Sequence, residues 1–160
     1  MKKTLFTFVL VALFFGAQKS KAQSVSAQEI VNKAFAGESV TYKNTTIKGV
    51  VDLTPCMEKK DDLPSKSWWS GGSNSIDKTI SGSITFENCV FENDFLAYLH
   101  DDDTEYTFVT HFASDVTFKN CQFKGGVAFK YSEFAGTVDF SGSSIDGEAN
   151  FKYAEFDETR

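Results

Sequence analysis

His100 and His111 are the only histidines in the chain, and neither has a cysteine or serine partner at a spacing that builds a nucleophile and its base. The single arginine, Arg160, is the last residue, so chemistry that needs a guanidinium clamp on phosphate or carboxylate has almost nothing to work with. Asp101, Asp102 and Asp103 precede Glu105, but they lack the alternate-residue ligands and the glycine of a calcium loop, and a solvated acidic loop is expected. Cys56, Cys89 and Cys121 are too few for a disulfide scaffold. Trp68 and Trp69 stand among serines and glycines that cannot bury them locally. They are suited to stacking on a sugar ring, to holding a protein partner, or to folding back as a lid. A polysaccharide-cleaving β-helix would project basic and acidic groups from one face across several coils, which this chain does not. No catalytic, cofactor-binding or metal-binding residue is therefore expected.

The elements that carry these groups follow from one compositional excess. Among 160 residues, 41% hydrophobic and 24% charged, there are seventeen Phe against two Trp and five Tyr. The length suits one domain, and the balance excludes both disorder and a polytopic membrane protein. One side-chain type filling one kind of position again and again signals a repeat. From Val116 the chain divides into VTFKNCQFKGG, VAFKYSEFAGT, VDFSGSSIDGE and ANFKYAEFDET. Numbered from zero, offset 2 holds Phe118, Phe129, Phe140 and Phe151; offset 7 holds Phe123, Phe134, Ile145 and Phe156; offset 5 is small throughout. Blocks beginning at Val40, Val51 and Ile84 share the template, the last with Phe86 and Phe91 in the apolar slots. The block from Val51 keeps Leu53 and Cys56 and then fails at Glu58. In YTFVTHFASD, Phe108 and Phe112 lie four apart, which reads as a copy with one residue deleted. Apolar pairs at this spacing mean short strand fragments separated by corners, a chain that winds into a solenoid and buries its rings by stacking coil on coil.

These blocks resemble the pentapeptide-repeat family, whose five-residue unit has a bulky Phe or Leu centre and a small or branched residue two before it. The pairs Val116/Phe118, Cys121/Phe123, Val127/Phe129, Ser132/Phe134, Val138/Phe140, Ser143/Ile145, Ala149/Phe151 and Ala154/Phe156 carry the likeness, with one extra residue at every second unit. The resemblance covers residues 40–53 and 84–160. It implies a right-handed quadrilateral β-helix with four short faces per turn and says little about function; the best-understood members are cytoplasmic, acidic DNA mimics that bind gyrase.

Two blocks per coil place Phe118 beside Phe140 and Tyr131 beside Tyr153, the latter pair a candidate aromatic patch. If residues 105–115 complete the coil begun at Ile84, Cys89 meets Cys121 in one interior column, within bridging range by distance, although packing is the favoured reading. Lys43, Glu87 and Lys119 share an outward offset where signs alternate. Asn44, Asn88 and Asn120 share a corner and are expected to form a side-chain ladder. Residues 57–80 and 95–104 break the repeat as inserted loops, the place where repeat proteins put specific contacts.

Ahead of the repeat, Met1-Lys2-Lys3, an apolar run from Leu5 to Ala17 and Ser20-Lys21-Ala22 have the layout of a signal peptide over residues 1–22, with no stable membrane span left after cleavage. Its removal takes four lysines and shifts the net charge from −6 to −10, which disfavours nucleic-acid binding by charge. Residues 23–39 hold a capping helix of roughly residues 26–36, opened by the capping box Ser26-Ala27-Gln28-Glu29 and closed by Gly37; residues 40–160 hold the β-helix. The repeat finishes as the sequence does, and end-to-end dimerisation or a truncated sequence is expected. The functional expectation is a non-enzymatic exported scaffold or protein-binding surface of a bacterial envelope, located in the periplasm, on the outer surface or outside the cell. Glycan binding through Trp68 and Trp69 is the alternative, and gyrase mimicry a more distant one.

Overall fold

The computed structural model describes residues 23–63 and 74–157; residues 1–22, expected to be a signal peptide, Trp68, Trp69 and Arg160 lie outside them. An initial strand β1 (Gln23–Ser26) leads into α1 (Ala27–Phe35), and four coils follow. The first is β2 (Val40–Lys43), β3 (Thr45–Lys48) and β4 (Val51–Asp52), then α2 (Cys56–Lys59) with a 3₁₀ turn at Lys60–Asp62, then β5 (Ser75–Ile80). The second is β6 (Ile84–Glu87), β7 (Val90–Phe91) and β8 (Phe95–Leu96), a hairpin strand β9 (Tyr98–Asp101), and β10 (Tyr106–Phe112). The third runs β11 (Val116–Lys119), β12 (Gln122–Phe123), β13 (Val127–Ala128) and β14 (Glu133–Phe134). The fourth runs β15 (Val138–Asp139), β16 (Ser144–Ile145), β17 (Ala149–Asn150) and β18 (Glu155–Phe156).

Each face is a parallel ladder: β2-β6-β11-β15, β1-β3-β7-β12-β16, β4-β8-β13-β17 and β5-β10-β14-β18. This is the four-sided solenoid that the repeat requires. Val116 pairs with Val138, 22 residues on, but Ile84 pairs with Val116, 32 residues on, and Val40 with Ile84, 44 residues on. The first coil therefore carries 22 extra residues and the second ten. The inserts do not sit where the loops are expected, at 57–80 and 95–104: the first ends before β5 and the second begins after Ala97. Ser75–Ile80 is a ladder strand against β10, and Phe95 is a fully buried ring of the spine.

YTFVTHFASD contains no deletion either. Phe112 pairs with Phe134 in the spine, whereas Phe108 belongs to a second, smaller core with Cys56 and Tyr106. Ala97 takes the apolar slot of that coil, and the chain resumes where Thr110 donates its backbone N–H to the Ala97 carbonyl. Cys56 leaves the repeat altogether and opens α2.

Inside, Phe86, Phe91, Phe118, Phe123, Phe129 and Phe134 are fully buried. Phe91 stacks on Phe123 at 4.4 Å between centroids, and Phe112 on Phe134 at 5.1 Å, close to the rise between coils. Phe140, Ile145 and Phe151 pack against this core while partly buried, and Phe156, expected inside, is 50% exposed, because no described coil lies beyond it.

Small residues beside the rings are there to donate. The Cys89 thiol lies 3.5 Å from the Tyr42 carbonyl, the Cys121 thiol 3.5 Å from that of Phe86, and the Ser143 hydroxyl 2.7 Å from that of Phe118. Each points one coil back and satisfies a carbonyl at the corner. Thr110 does the same for Leu53 at 2.6 Å. Ser132 is the exception: fully buried, it is the one described side chain whose buried oxygen has no partner. Ser132→Ala is therefore expected to leave stability unchanged or raise it by up to about 1 kcal/mol. Ser143→Ala, which also strips an acceptor from the Cys121 N–H, is expected to cost about 1–2 kcal/mol. Urea unfolding midpoints of the two variants check the contrast, and equal shifts would contradict it.

The asparagines at the second corner serve conformation rather than a side-chain ladder. Asn44, Asn88 and Asn120 have φ of 51°, 51° and 50°, and Gly142 fills the same slot at 68°. Asparagine is among the few residues that tolerate this left-handed turn. The coils are joined there through backbone, Asn88 N–H to the Lys119 carbonyl at 2.9 Å. Of the outward charges, Lys43 pairs with Glu87 at 2.8 Å, while Lys119 reaches the next coil and Asp139 at 3.3 Å.

Candidate functional site

Tyr131 and Tyr153 occupy the opposite corner with φ of 61° each, a conformation bulky residues rarely adopt. Their rings stack at 5.1 Å and 12°, and Tyr98 extends the rail at 6.1 Å from Tyr131. Lys130 Nζ sits 4.9 Å from both the Tyr98 and Tyr131 centroids and donates to the Tyr98 hydroxyl at 3.2 Å; that hydrogen bond holds its ammonium above the ordinary lysine range. Lys152 covers Tyr153 in the same way, at 4.9 Å. The bases thus lie on one side of an exposed aromatic rail.

On its other side is the outer surface of the ladder β5-β10-β14-β18. Strand alternation turns every second residue outward, and the register stacks Thr79 against His111 and Glu133 against Glu155; pairing of Phe112 with Phe134 sets His111 beside Glu133. Asp77 lies beside Val109 and accepts from the Ser75 hydroxyl. Together with Tyr131 and Tyr153, the residues Asp77, Val109, His111, Glu133 and Glu155 line a groove of about 580 Å³. His111 Nδ1 accepts the Glu133 N–H at 3.1 Å, so in this geometry the neutral imidazole carries its proton on Nε2.

The two inserts fix the upper wall. Cys56, Tyr106 and Phe108 are buried with Leu63, Ile76 and Leu99 against them, and Lys60 meets Asp101 at 3.1 Å. Asp101 is held below the usual carboxylate range chiefly by the Thr104 hydroxyl, with Lys60 adding to it. Asp102 is 99% exposed, so the three successive aspartates do not converge. Lys78 anchors β5 to α2 through Glu58 at 2.7 Å and covers the Phe35 ring at 3.5 Å. His100 contacts Thr107 at 3.1 Å on the hairpin, across β9 and β10.

Of the residues singled out from sequence, the structure brings Tyr131 and Tyr153 to this groove and buries the ring columns beneath it. Cys89 and Cys121 are adjacent, buried and free. The neighbouring Cys89 sulfur, with burial adding to it, pushes the Cys121 thiol up. Sequence reasoning set His111 aside for want of a nucleophile partner and did not single out Glu133, Glu155 or Asp77. The signal for two of them was present: Tyr131-Ser132-Glu133-Phe134 and Tyr153-Ala154-Glu155-Phe156 are twins one coil apart.

No curated protein and no solved structure matches the chain. The family model described as pentapeptide repeats (9 copies) matches residues 110–160, the two undecorated coils and the strand that leads into them. Residues 110–160 are thus a pentapeptide-repeat segment, and the four parallel ladders and stacked ring spine carry the same four-sided coil back to β2.

Proposed function

We propose that the chain is a non-enzymatic, exported interaction protein of a bacterial envelope, in which a rigid four-sided solenoid presents the groove beside Tyr131 and Tyr153 to a partner protein. The groove carries the proposal: among the described residues, an exposed aromatic rail, a polar wall and the two packed inserts meet there. Tyrosines are the side chains that interfaces enrich, because they offer large area with little rotamer freedom to lose.

Hydrolysis of a glycosidic bond is disfavoured by the placement of the acids. Glu133 and Glu155 project in parallel from neighbouring strands, whereas a glycosidase pair must flank the bond. The glycan-binding alternative rests on Trp68 and Trp69, which lie outside the described residues. Export is supported by the basic, apolar and small-residue layout of residues 1–22, and no described helix is long and apolar enough to cross a membrane. An exported chain does not meet gyrase.

A photoreactive phenylalanine analogue at Tyr153, which is 59% exposed, tests the reading against the same analogue at Lys43 on a different face. In envelope fractions, adducts are expected from position 153 and not from 43. Equal labelling, or none, would remove the groove as the interaction surface.

A further inference from the structure

The groove has a charge character that the interaction reading does not use. Asp77, Glu133 and Glu155 all face it, and the one titratable group among them able to become a cation is His111. Among the described residues, no lysine lies within ion-pair distance of Asp77, Glu133 or Glu155. The nearby Lys130 and Lys152 each lie over a tyrosine ring and are not among the groove's lining residues. Elsewhere on the solenoid surface, Glu87 is answered by Lys43, Asp139 by Lys119 and Asp101 by Lys60.

Like charges on directly opposed strand positions repel. Glu133 and Glu155 are such a pair, and the fold gains nothing from keeping both. The outward slot does not demand an acid, since in the adjoining strands the same column holds Thr79 and His111. Among the described residues, the one ionisable base in contact with the wall is His111, whose Nδ1 lies 3.7 Å from a Glu133 carboxylate oxygen.

Resting on the interaction reading above, we infer that the occupant of this groove is a basic peptide segment of the partner, whose lysine or arginine side chains pair with Glu133, Glu155 and Asp77 while its backbone lies along the tyrosine edges. An extended strand presents side chains about 7 Å apart on one side, close to the reach between carboxylates on adjacent or next-adjacent coils. Tyr131 and Tyr153 stack one face of each ring on the other, and the groove beside them is walled by carboxylates. That chemistry favours a cationic segment over a sugar.

The probe is a fluorescein-labelled decapeptide of alternating lysine and serine, followed by anisotropy with the full chain at low ionic strength. Wild type is expected to bind, and Glu133→Gln with Glu155→Gln to weaken binding about tenfold. Glu38→Gln with Glu92→Gln removes the same net charge from exposed sites elsewhere and is expected to change affinity less than about twofold. Absence of peptide binding, an equal loss in the control pair, or displacement by a neutral chito-oligosaccharide would overturn the inference. Adducts from position 153 combined with no peptide binding would sink this inference and leave the interaction reading standing; loss of both would end both.

Discussion

Phe118→Ala is expected to lower the free energy of unfolding by about 3–5 kcal/mol, as large-to-small changes of fully buried aromatics do. Phe118 is fully buried and meets five rings: Phe86 at 5.6 Å and 2°, Phe91 at 5.8 Å, Phe95 at 5.2 Å, Phe123 at 5.2 Å and Phe140 at 4.8 Å. It thus joins three coils and three faces. No small residue around it can move in, because its neighbours are rings already fixed by their own stacks, and the cavity persists. A domain's whole stability is about 5–15 kcal/mol, so the variant sits near the edge of folding. Urea unfolding at 25 °C measures the loss. Phe156→Ala is the comparison: its ring is half exposed and stacks on one neighbour, Phe134, at 5.1 Å, and about 1 kcal/mol is expected. Similar losses for the two would mean that the spine is not a continuous, graded core.

The contrast also shows which parts of the architecture a sequence discloses. A repeat writes its interior in residue types, since each coil must offer the same ring to the coil above and below, and Phe86, Phe118 and Phe140 could be stacked from spacing alone. Insert boundaries are not written that way. Ser75–Ile80 lacks the Phe signature, yet its backbone pairs residue for residue with Thr107–Phe112, and hydrogen bonding of this kind is indifferent to side chain. Phe95 and Phe108 misled in opposite directions, because an apolar residue beside an insert can serve either the spine or the smaller core under α2, and only the path of the chain decides. The site was half legible for the same reason. Tyr131 and Tyr153 stood out as a repeated oddity, while Glu133 and Glu155 looked like ordinary surface charge. What makes them a site is their shared wall with Asp77 and His111, from strands up to 78 residues away in the sequence.

Ile30→Ala, the second large effect, is expected to cost about 2–4 kcal/mol and to make the protein associate as concentration rises. The physical reason lies at the first coil. A solenoid end leaves one row of backbone donors and acceptors unpaired and one layer of side chains uncovered. Here β1 covers β3, and α1 lies against β4 with Ala27, Ile30, Val31 and Ala34 buried. Ile30 is completely buried and central to that face.

The helix is set for this position at both ends. The Ser26 hydroxyl accepts the Glu29 N–H at 3.2 Å; beyond Ala36, Gly37 turns left-handed at φ 76°, and the N–H groups of Gly37 and Glu38 close on the Ala34 and Lys33 carbonyls at 3.0 Å. Gly82 of the adjoining corner must also lack a side chain, since a Cβ there would fall 2.2 Å from the Glu38 carbonyl oxygen. Glu29, instead of closing the capping box, accepts from the Tyr42 hydroxyl at 2.6 Å and from Lys33 at 3.0 Å, and the Tyr42 bond does most to hold its carboxyl low. Tyr42 in turn stacks on Phe86 at 5.9 Å, so the cap is tied to the top ring of the spine. Those exposed polar links steer the helix but contribute little energy, and nine residues are too few for an isolated helix to persist in water. Removing the Ile30 side chain therefore loosens the whole cap and bares β4. Hydrogen exchange at the amides of Val51 and Leu53, which donate to Asp94 and Leu96, should quicken together with the loss of α1 protection, while β12 and β13 stay slow. If Val51 and Leu53 kept wild-type protection while α1 exchanged freely, the helix would be an appendage to the solenoid rather than its cap.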